Sequence, residues 1–337
     1  MFSAYHRIGE RQFRQRLGLD FEDFAPGQRF RHRPGVTLSQ QDNADEALDT
    51  LNGAMLHFDA HYAAATEWRR PLLVSTLTLQ RLLGLASKTY GQRTAITAFD
   101  EIAMNGPLFG GDTLYANSEV LAIDAVGGTV QIRLTGHKPD GAEVARVSCT
   151  MQMPRRDDAA MTADEPRFAA YHDAEDGALV EQSGLWFEDC VAGESFVHAP
   201  RRSFHSDQVA GQAWRAMELA PRHHDLDWIA RHGGHLVVPE TQVIAVTTAL
   251  TTRTFGRVVA NLGWRDVCLP HPVFAGDTIE VASTIREARA SRSRPGEGII
   301  SVDTTARNQD KVTVLSYSRT LLVYRREAAS PYGAAGY

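Results

Sequence analysis

The chain has 337 residues, of which 43% are hydrophobic and 23% charged, with a formal net charge of -6. That length allows one large or two medium domains with a sizeable apolar core. The acidic balance, without any basic run, argues against nucleic acid as a partner, and no apolar stretch approaches the ~18 residues of a membrane-spanning helix.

Met1 to Leu17 carries Arg11, Arg14 and Arg16 but no apolar core of the kind a secretory signal needs. Residues 1–19 are therefore expected to be a solvated, helical N-terminal arm. Cys149, Cys190 and Cys268 are isolated and odd in number. They point to a reducing, cytoplasmic setting and to buried thiols rather than disulfides or a zinc site.

Phe21-Glu-Asp-Phe-Ala-Pro-Gly27 then opens a unit that is repeated. Phe187-Glu-Asp-Cys-Val-Ala-Gly193 lies 166 residues on, and His57 and His223 keep that offset. Phe109-Gly-Gly-Asp112-Thr113 and Phe274-Ala-Gly-Asp277-Thr278 continue it one residue shorter. Register held over about ninety residues reads as an internal duplication.

Each unit follows one plan. A short strand (Arg29–Leu38; Glu194–Ser203) leads to a polar helical stretch and then to the turn with His57 or His223. A longer apolar helix follows, Ser75–Lys88 or about Glu240–Thr252. The first is apolar nearly all round, as in helices wrapped by other structure. Four alternating β segments come next in each unit: 95–104, 113–123, 129–137 and 144–153, then 257–269, 278–287, 298–308 and 312–324. Gly127-Gly128 and Pro139-Asp-Gly141 suit hairpin turns between antiparallel strands. One helix followed by an antiparallel meander is an α+β arrangement, with the sheet around the helix. The domain plan is thus an arm (1–19), unit one (20–156), an acidic, Ala-rich linker (157–180), unit two (181–327) and a disordered tail (328–337).

The stretch Asn52-Gly-Ala-Met-Leu-His57 with Asp59, the upstream pair Asp42-Asn43, Arg70-Pro-Leu-Leu-Val-Ser75 and the Phe-x-Gly-Asp-Thr strand starts together resemble MaoC-type enoyl-CoA hydratases. In unit two, Ala260-Asn-Leu-Gly-Trp264, Pro272 to Thr278 and Ser291-Arg-Ser-Arg-Pro-Gly296 carry the likeness. It covers roughly residues 20–325. It is nearest to the mesaconyl-CoA hydratases (β-methylmalyl-CoA dehydratases) and to itaconyl-CoA hydratase-like proteins. The (R)-specific hydratases of the superfamily carry Asp-x-Asn-Pro-Leu-His. Here the carboxylate is Asn52 and the Asn-Pro pair is Ala54-Met55, which favours the β-methylmalyl branch.

The resemblance implies a double hot-dog fold and reversible syn addition of water to a 2-enoyl-CoA, the acyl group being short and branched or dicarboxylic. The CoA thioester is the substrate, and no cofactor or metal is implied. Larger homo-oligomers would be in keeping with the family.

Hydration needs a base, a group that orients water and fixed donors for the thioester oxygen. His57 is the nearby group able to act as base near neutral pH. Asn52 can hydrogen-bond the water or simply close a turn. Ser75 would offer its backbone N–H as the oxyanion donor from the first turn of the helix, a contribution of about 3–4 kcal/mol. Asp42 is expected to cap the helical stretch. Asp59 either orients His57 or caps the next helix, and Asn43 belongs to the supporting set. Asp112 and Asp277 are read as closing turns.

Arg289, Arg292 and Arg294 either meet CoA phosphates or form a solvated basic loop. Arg70, Arg81 or Arg93 would face a substrate carboxylate. His223, His224, His232 and His235 match no standard zinc spacing.

Unit two has Glu218 and His223 where unit one has Asn52 and His57. Pro239, which lacks an N–H, is aligned with Ser75 within one residue. Unit two is therefore expected to shape the pocket without catalysing. The rival readings are a hot-dog thioesterase, which would draw on a helix carboxylate such as Glu240, and an acyl-CoA-binding protein without activity.

Overall fold

The computed structural model describes residues 2–156, 164–182, 184–335 and 337. In chain order it opens with β1 (Tyr5–Gly9), β2 (Gln12–Gln15) and β3 (Arg29–Thr37), followed by helices α1 (Gln40–Asp49), α2 (Ala60–Ala65), α3 (Ser75–Leu85) and α4 (Ser87–Tyr90). Strands β4 (Ala95–Met104), β5 (Thr113–Asp124), β6 (Thr129–His137) and β7 (Glu143–Gln152) complete the first repeat. The same succession returns as β8 (Tyr171–Asp173), β9 (Leu179–Glu181), β10 (Ser195–Val197), β11 (Arg202–Ser203), α5 (Ser206–Arg215), α6 (Leu226–Arg231) and α7 (Glu240–Leu250). It ends with β12 (Val258–Cys268), β13 (Thr278–Ala290), β14 (Glu297–Arg307), β15 (Thr313–Tyr324) and a short α8 (Pro331–Ala334).

Alternation decides which face of each strand is buried. Along β6, Val130, Ile132 and Leu134 are fully buried while their neighbours are half-exposed. The unit that carries His57 has the strand order β4-β7-β6-β5-β3-β9-β8, and α3 packs on β3, β5, β6 and β7. The other unit has the order β1-β2-β10-β13-β14-β15-β12, with β11 on β13 and α7 against β13. A helix laid on a largely antiparallel sheet is the hot-dog arrangement, and the chain holds two in tandem.

Helix α3 departs from the expectation of burial all round. It buries Leu77, Thr78 and Leu82 and leaves Ser75, Thr76, Gln80, Arg81 and Gly84 exposed. Only one side of it meets the sheet. On the other side Thr76 and Gln80 hydrogen-bond Glu46 of α1, at 3.1 and 2.9 Å.

The N-terminal segment is a hairpin, not a solvated helical arm. Strand β2 pairs in parallel with β10, so the hairpin preceding the first repeat joins the sheet of the second. The stretch expected as a linker behaves reciprocally: β8 and β9 form a hairpin, and β9 pairs in parallel with β3. Residues 157–163 of that stretch lie outside the described residues. The terminal segment expected to be disordered holds α8, and Tyr332 packs edge-on against Trp186 and Tyr324. Cys268 is exposed, against the expectation of three buried thiols, while Cys149 and Cys190 are buried.

Buried polar side chains fix both hairpins. In the His57 unit, Glu181 accepts hydrogen bonds from His32 Nδ1 (2.8 Å), the Arg33 N–H (3.0 Å) and Thr89 (2.7 Å). Burial alone would raise the Glu181 carboxyl, but the His32 charge and these bonds hold it below the ordinary range. In the other unit the equivalent residue is Gln15, which accepts the Ala199 N–H at 3.1 Å. There His198 bonds Thr254 and Ser283, each at 2.9 Å, and Tyr5 donates to Thr254.

Candidate functional site

Helix α1 sets up the approach to His57. Its N-terminus is a capping box in which Asp42 accepts from the Ser39 N–H at 2.8 Å and the Ser39 hydroxyl accepts from the Asp42 N–H at 3.1 Å. The Ser39 hydrogen bonds hold the Asp42 carboxyl below its usual range. The helix ends through Leu51 in the left-handed region (φ 57°), with the Asn52 N–H returning to the Ala47 carbonyl at 2.7 Å. Asn52 Oδ1 then accepts the Ala54 N–H at 3.0 Å, which turns the chain into the single 3-10 turn Met55–His57.

The imidazole is held from one side. His57 Nδ1 donates to the Leu72 carbonyl at 2.8 Å. That bond fixes the neutral tautomer, so Nε2 carries the lone pair. Among the described residues, Nε2 makes no hydrogen bond. Leu72 is itself fixed, since its N–H donates to the Leu56 carbonyl at 3.2 Å and it bridges to Phe109. Three residues on, Ser75 begins α3 and is exposed. Its N–H is one of the unpaired first-turn donors of that helix.

Asn43 ties these parts together. It is fully buried. Its Nδ2 donates to the carbonyls of His57 (2.7 Å) and Leu72 (3.0 Å), and its Oδ1 accepts the Val74 N–H at 2.7 Å. Gln40 also donates to the His57 carbonyl, at 2.7 Å.

The other predicted residues fall as follows. Asp42 caps α1 and lies 3.6 Å from Arg81. Asp59 caps α2, accepting the Tyr62 N–H at 2.9 Å, which decides between its two readings. Asp59→Ala is expected to cost about 1 kcal/mol in urea unfolding while changing kcat less than about twofold.

Asp112 and Asp277 close their turns on the N–H groups of Phe109 (3.0 Å) and Phe274 (2.9 Å). Arg289 and Arg294 lie 3.4 and 3.3 Å from Glu287 and Glu297, in the unit with His223. Arg93 donates to the Tyr90 carbonyl. Arg70 lies 3.8 Å from the Phe109 ring centre, and among the described residues it forms no salt bridge. His232 stacks on Trp228 and His235 packs on Phe274. Among the described residues, no three His, Cys, Asp or Glu side chains gather in a way that could hold a metal.

The second repeat keeps the outline and alters the chemistry. His223 Nδ1 donates to the Val237 carbonyl at 2.7 Å, and Glu218 accepts the Ala220 N–H as Asn52 accepts that of Ala54. The alignment of Pro239 with Ser75 is corrected. Pro239 precedes α7 as Val74 precedes α3, and Glu240 is the first helical residue. One residue is missing between the histidine and its carbonyl, which are 15 apart in sequence in the first repeat and 14 in the second. A helix-start N–H therefore exists in both repeats.

What differs is the imidazole itself. Arg222, standing where the first repeat has Leu56, donates from Nε to His223 Nε2 at 3.2 Å and holds Glu240 at 3.0 Å. His223 is fully buried. Its lone pair is already occupied. Sequence reasoning missed this lock, although the Leu56-to-Arg222 change at the 166-residue offset was there to be read.

A family model described as mesaconyl-CoA hydratase matches residues 162–336, just over half of the 337 residues. That stretch carries His223 and not His57. A mesaconyl-CoA hydratase of Haloarcula marismortui is 32% identical over 171 residues, 48% of this chain and 46% of its own length. One of Cereibacter sphaeroides is 31% identical over 160 residues, 44% of each. The chain spans about half the length of these curated relatives. Among solved structures, a Mycobacterium tuberculosis protein described as having a double hotdog fold is 21% identical, with a TM-score of 0.39, over 91% of this chain and 99% of that one.

Proposed function

The chain belongs to the mesaconyl-CoA hydratase family, and from that premise we propose that it adds water reversibly to a 2-enoyl-CoA with a short branched or dicarboxylic acyl group, mesaconyl-CoA being the model. His57 Nε2 takes a proton from water as the oxygen bonds to C3. Electron density moves onto the thioester oxygen, where the Ser75 N–H stabilises the enolate. The same imidazole then returns the proton to C2 on the same face. Asn52 has its oxygen engaged with Ala54, so its Nδ2 is the group left to hold the water. The observation that carries this reading is the state of His57 Nε2, which makes no hydrogen bond among the described residues. The Leu72 carbonyl holds Nδ1 as N–H, leaving Nε2 as the base.

In this reading unit two does not catalyse, because Arg222 occupies the lone pair of His223. A second carboxylate on the substrate needs a cation. Arg81 is beside Asp42 and Arg93 is on a carbonyl. We therefore assign Arg70, two residues from Leu72, to that carboxylate.

The test is a panel of crotonyl-, methylcrotonyl-, itaconyl- and mesaconyl-CoA, following the conjugated thioester absorbance with free thiol assayed in parallel. Loss of conjugation without free CoA is expected. CoA release would instead make the protein a thioesterase. Arg70→Gln is expected to raise KM for mesaconyl-CoA about tenfold or more, as loss of one charge-assisted bond would, and to leave crotonyl-CoA nearly unaffected. Equal effects on both substrates would remove Arg70 from the carboxylate.

A further inference from the structure

We infer that Asn43 is a positioning residue that sets the distance between the base and the oxyanion donor. The inference rests on the reading of His57 and Ser75 given above. The single planar amide of Asn43 grips three backbone groups on two segments. Its Nδ2 holds the carbonyl of His57 itself and that of Leu72, whose oxygen also takes the imidazole N–H. Its Oδ1 holds the N–H of Val74, the residue before Ser75. Both reacting groups are thus attached to backbone pinned by one rigid, fully buried side chain. A fixed spacing matters because a displacement of about 1 Å costs on the order of 100-fold in rate.

The second repeat supplies an internal control. Val209 occupies the place of Asn43 there and is also fully buried. Pro239 occupies the place of Val74, with no N–H to satisfy. The donor and its acceptor have gone together, so no N–H is left stranded at the start of α7. The helix still starts at the same point, and His223 still reaches the Val237 carbonyl at 2.7 Å. Neither the fold nor the histidine–carbonyl bond therefore requires the amide. The amide is present in the repeat whose imidazole Nε2 is unblocked and absent in the repeat whose Nε2 is taken by Arg222. What it adds is the link from the base to the helix N-terminus.

The experiment copies the second repeat into the first. Asn43→Val alone strands the Val74 N–H and is expected to destabilise the protein. The double variant Asn43→Val with Val74→Pro leaves no stranded donor, and Val74 already sits at φ -58°, within proline's range. The double variant is expected to keep the thermal midpoint within a few degrees. Its KM for the turned-over enoyl-CoA should change less than about threefold, while kcat falls about 30- to 100-fold. The His57 Cε1 resonance, assigned by its loss in His57→Ala, should go from one narrow line to a broadened or split one.

Wild-type kcat in the folded double variant overturns the inference, and so does an unchanged narrow His57 line. If the wild-type protein hydrates no enoyl-CoA, the functional reading above falls, and the His57 resonance alone decides whether Asn43 positions the imidazole.

Discussion

His57→Ala is expected to lower the hydration rate by about 10²–10⁴-fold, the range for loss of a general base, while His223→Ala leaves kcat within about threefold. Both histidines end a 3-10 turn and both donate from Nδ1 to a backbone carbonyl, so tautomer does not separate them. The state of Nε2 does. In His57 it makes no bond among the described residues. In His223 it accepts from a guanidinium that is itself paired with Glu240.

A lone pair bonded to Arg222 can take a proton only by breaking that bond and placing a positive charge beside another in a buried site. The variants also separate on stability. His223 is fully buried, so its removal strands the Val237 carbonyl and opens a cavity, at about 2–4 kcal/mol. His57→Ala costs less because that side chain is only half-buried. The family match falls on residues 162–336, which makes the comparison a direct contest between repeats. Activity that survives His57→Ala and dies with His223→Ala in folded protein would move the site to the second repeat.

Much of this was legible from spacing. Alternation located the long strands to within a residue or two at most ends, because each has one face on a core and a period of two leaves little slack. The duplication was readable because Phe21, Gly27 and His57 recur at a single offset. The capping role of Asp59 followed from its place ahead of a helix, whereas Asp42 lies inside α1 and completes the capping box of Ser39.

The failures share a cause: they concern partners distant in sequence. Nothing local in Tyr5–Gln15 says that its strands join a sheet built some 180 residues later, or that Tyr171–Glu181 does the reverse. The sequence did carry a signal that pattern reading passed over. Tyr5 and Tyr171, His32 and His198, and Thr89 and Thr254 are matched pairs across the repeats, and they are the side chains that hold the two hairpins. The Pro239 alignment failed for a narrower reason. The shorter offset of Phe109 and Phe274 shows that one residue is lost after His223, but its place between His223 and Val237 is fixed only by the helix start.

Those buried pairs lead to an expected pH dependence of stability. His198 is buried and makes only neutral hydrogen bonds, to Thr254 and Ser283. Burial, helped by the nearby Arg319 charge, pushes its imidazole down from 6.5 to about 3. Tyr5 and Gln15 complete its polar surroundings on the hairpin side and bring no negative charge at neutral pH. Between those two values the unfolded chain binds the proton and the folded chain does not. Stability therefore rises with pH through this window, is complete above 6.5, and falls as the solution is acidified. Between pH 7 and pH 5 this one group should account for a loss of about 2 kcal/mol.

Glu181 acts in a different window. Its folded value lies below the ordinary 4.5, so its contribution is present above that value and is lost only as pH falls further. Urea unfolding of wild type and His198→Gln at several points from pH 7 to pH 5 isolates the effect, since every other titrating group cancels in the difference. The variant is expected to be less stable at pH 7 and to lose most of the pH slope. Parallel slopes would mean that His198 is protonated in the folded protein. The duplicated network would then tolerate a buried charge in the second repeat without the carboxylate that accompanies His32 in the first.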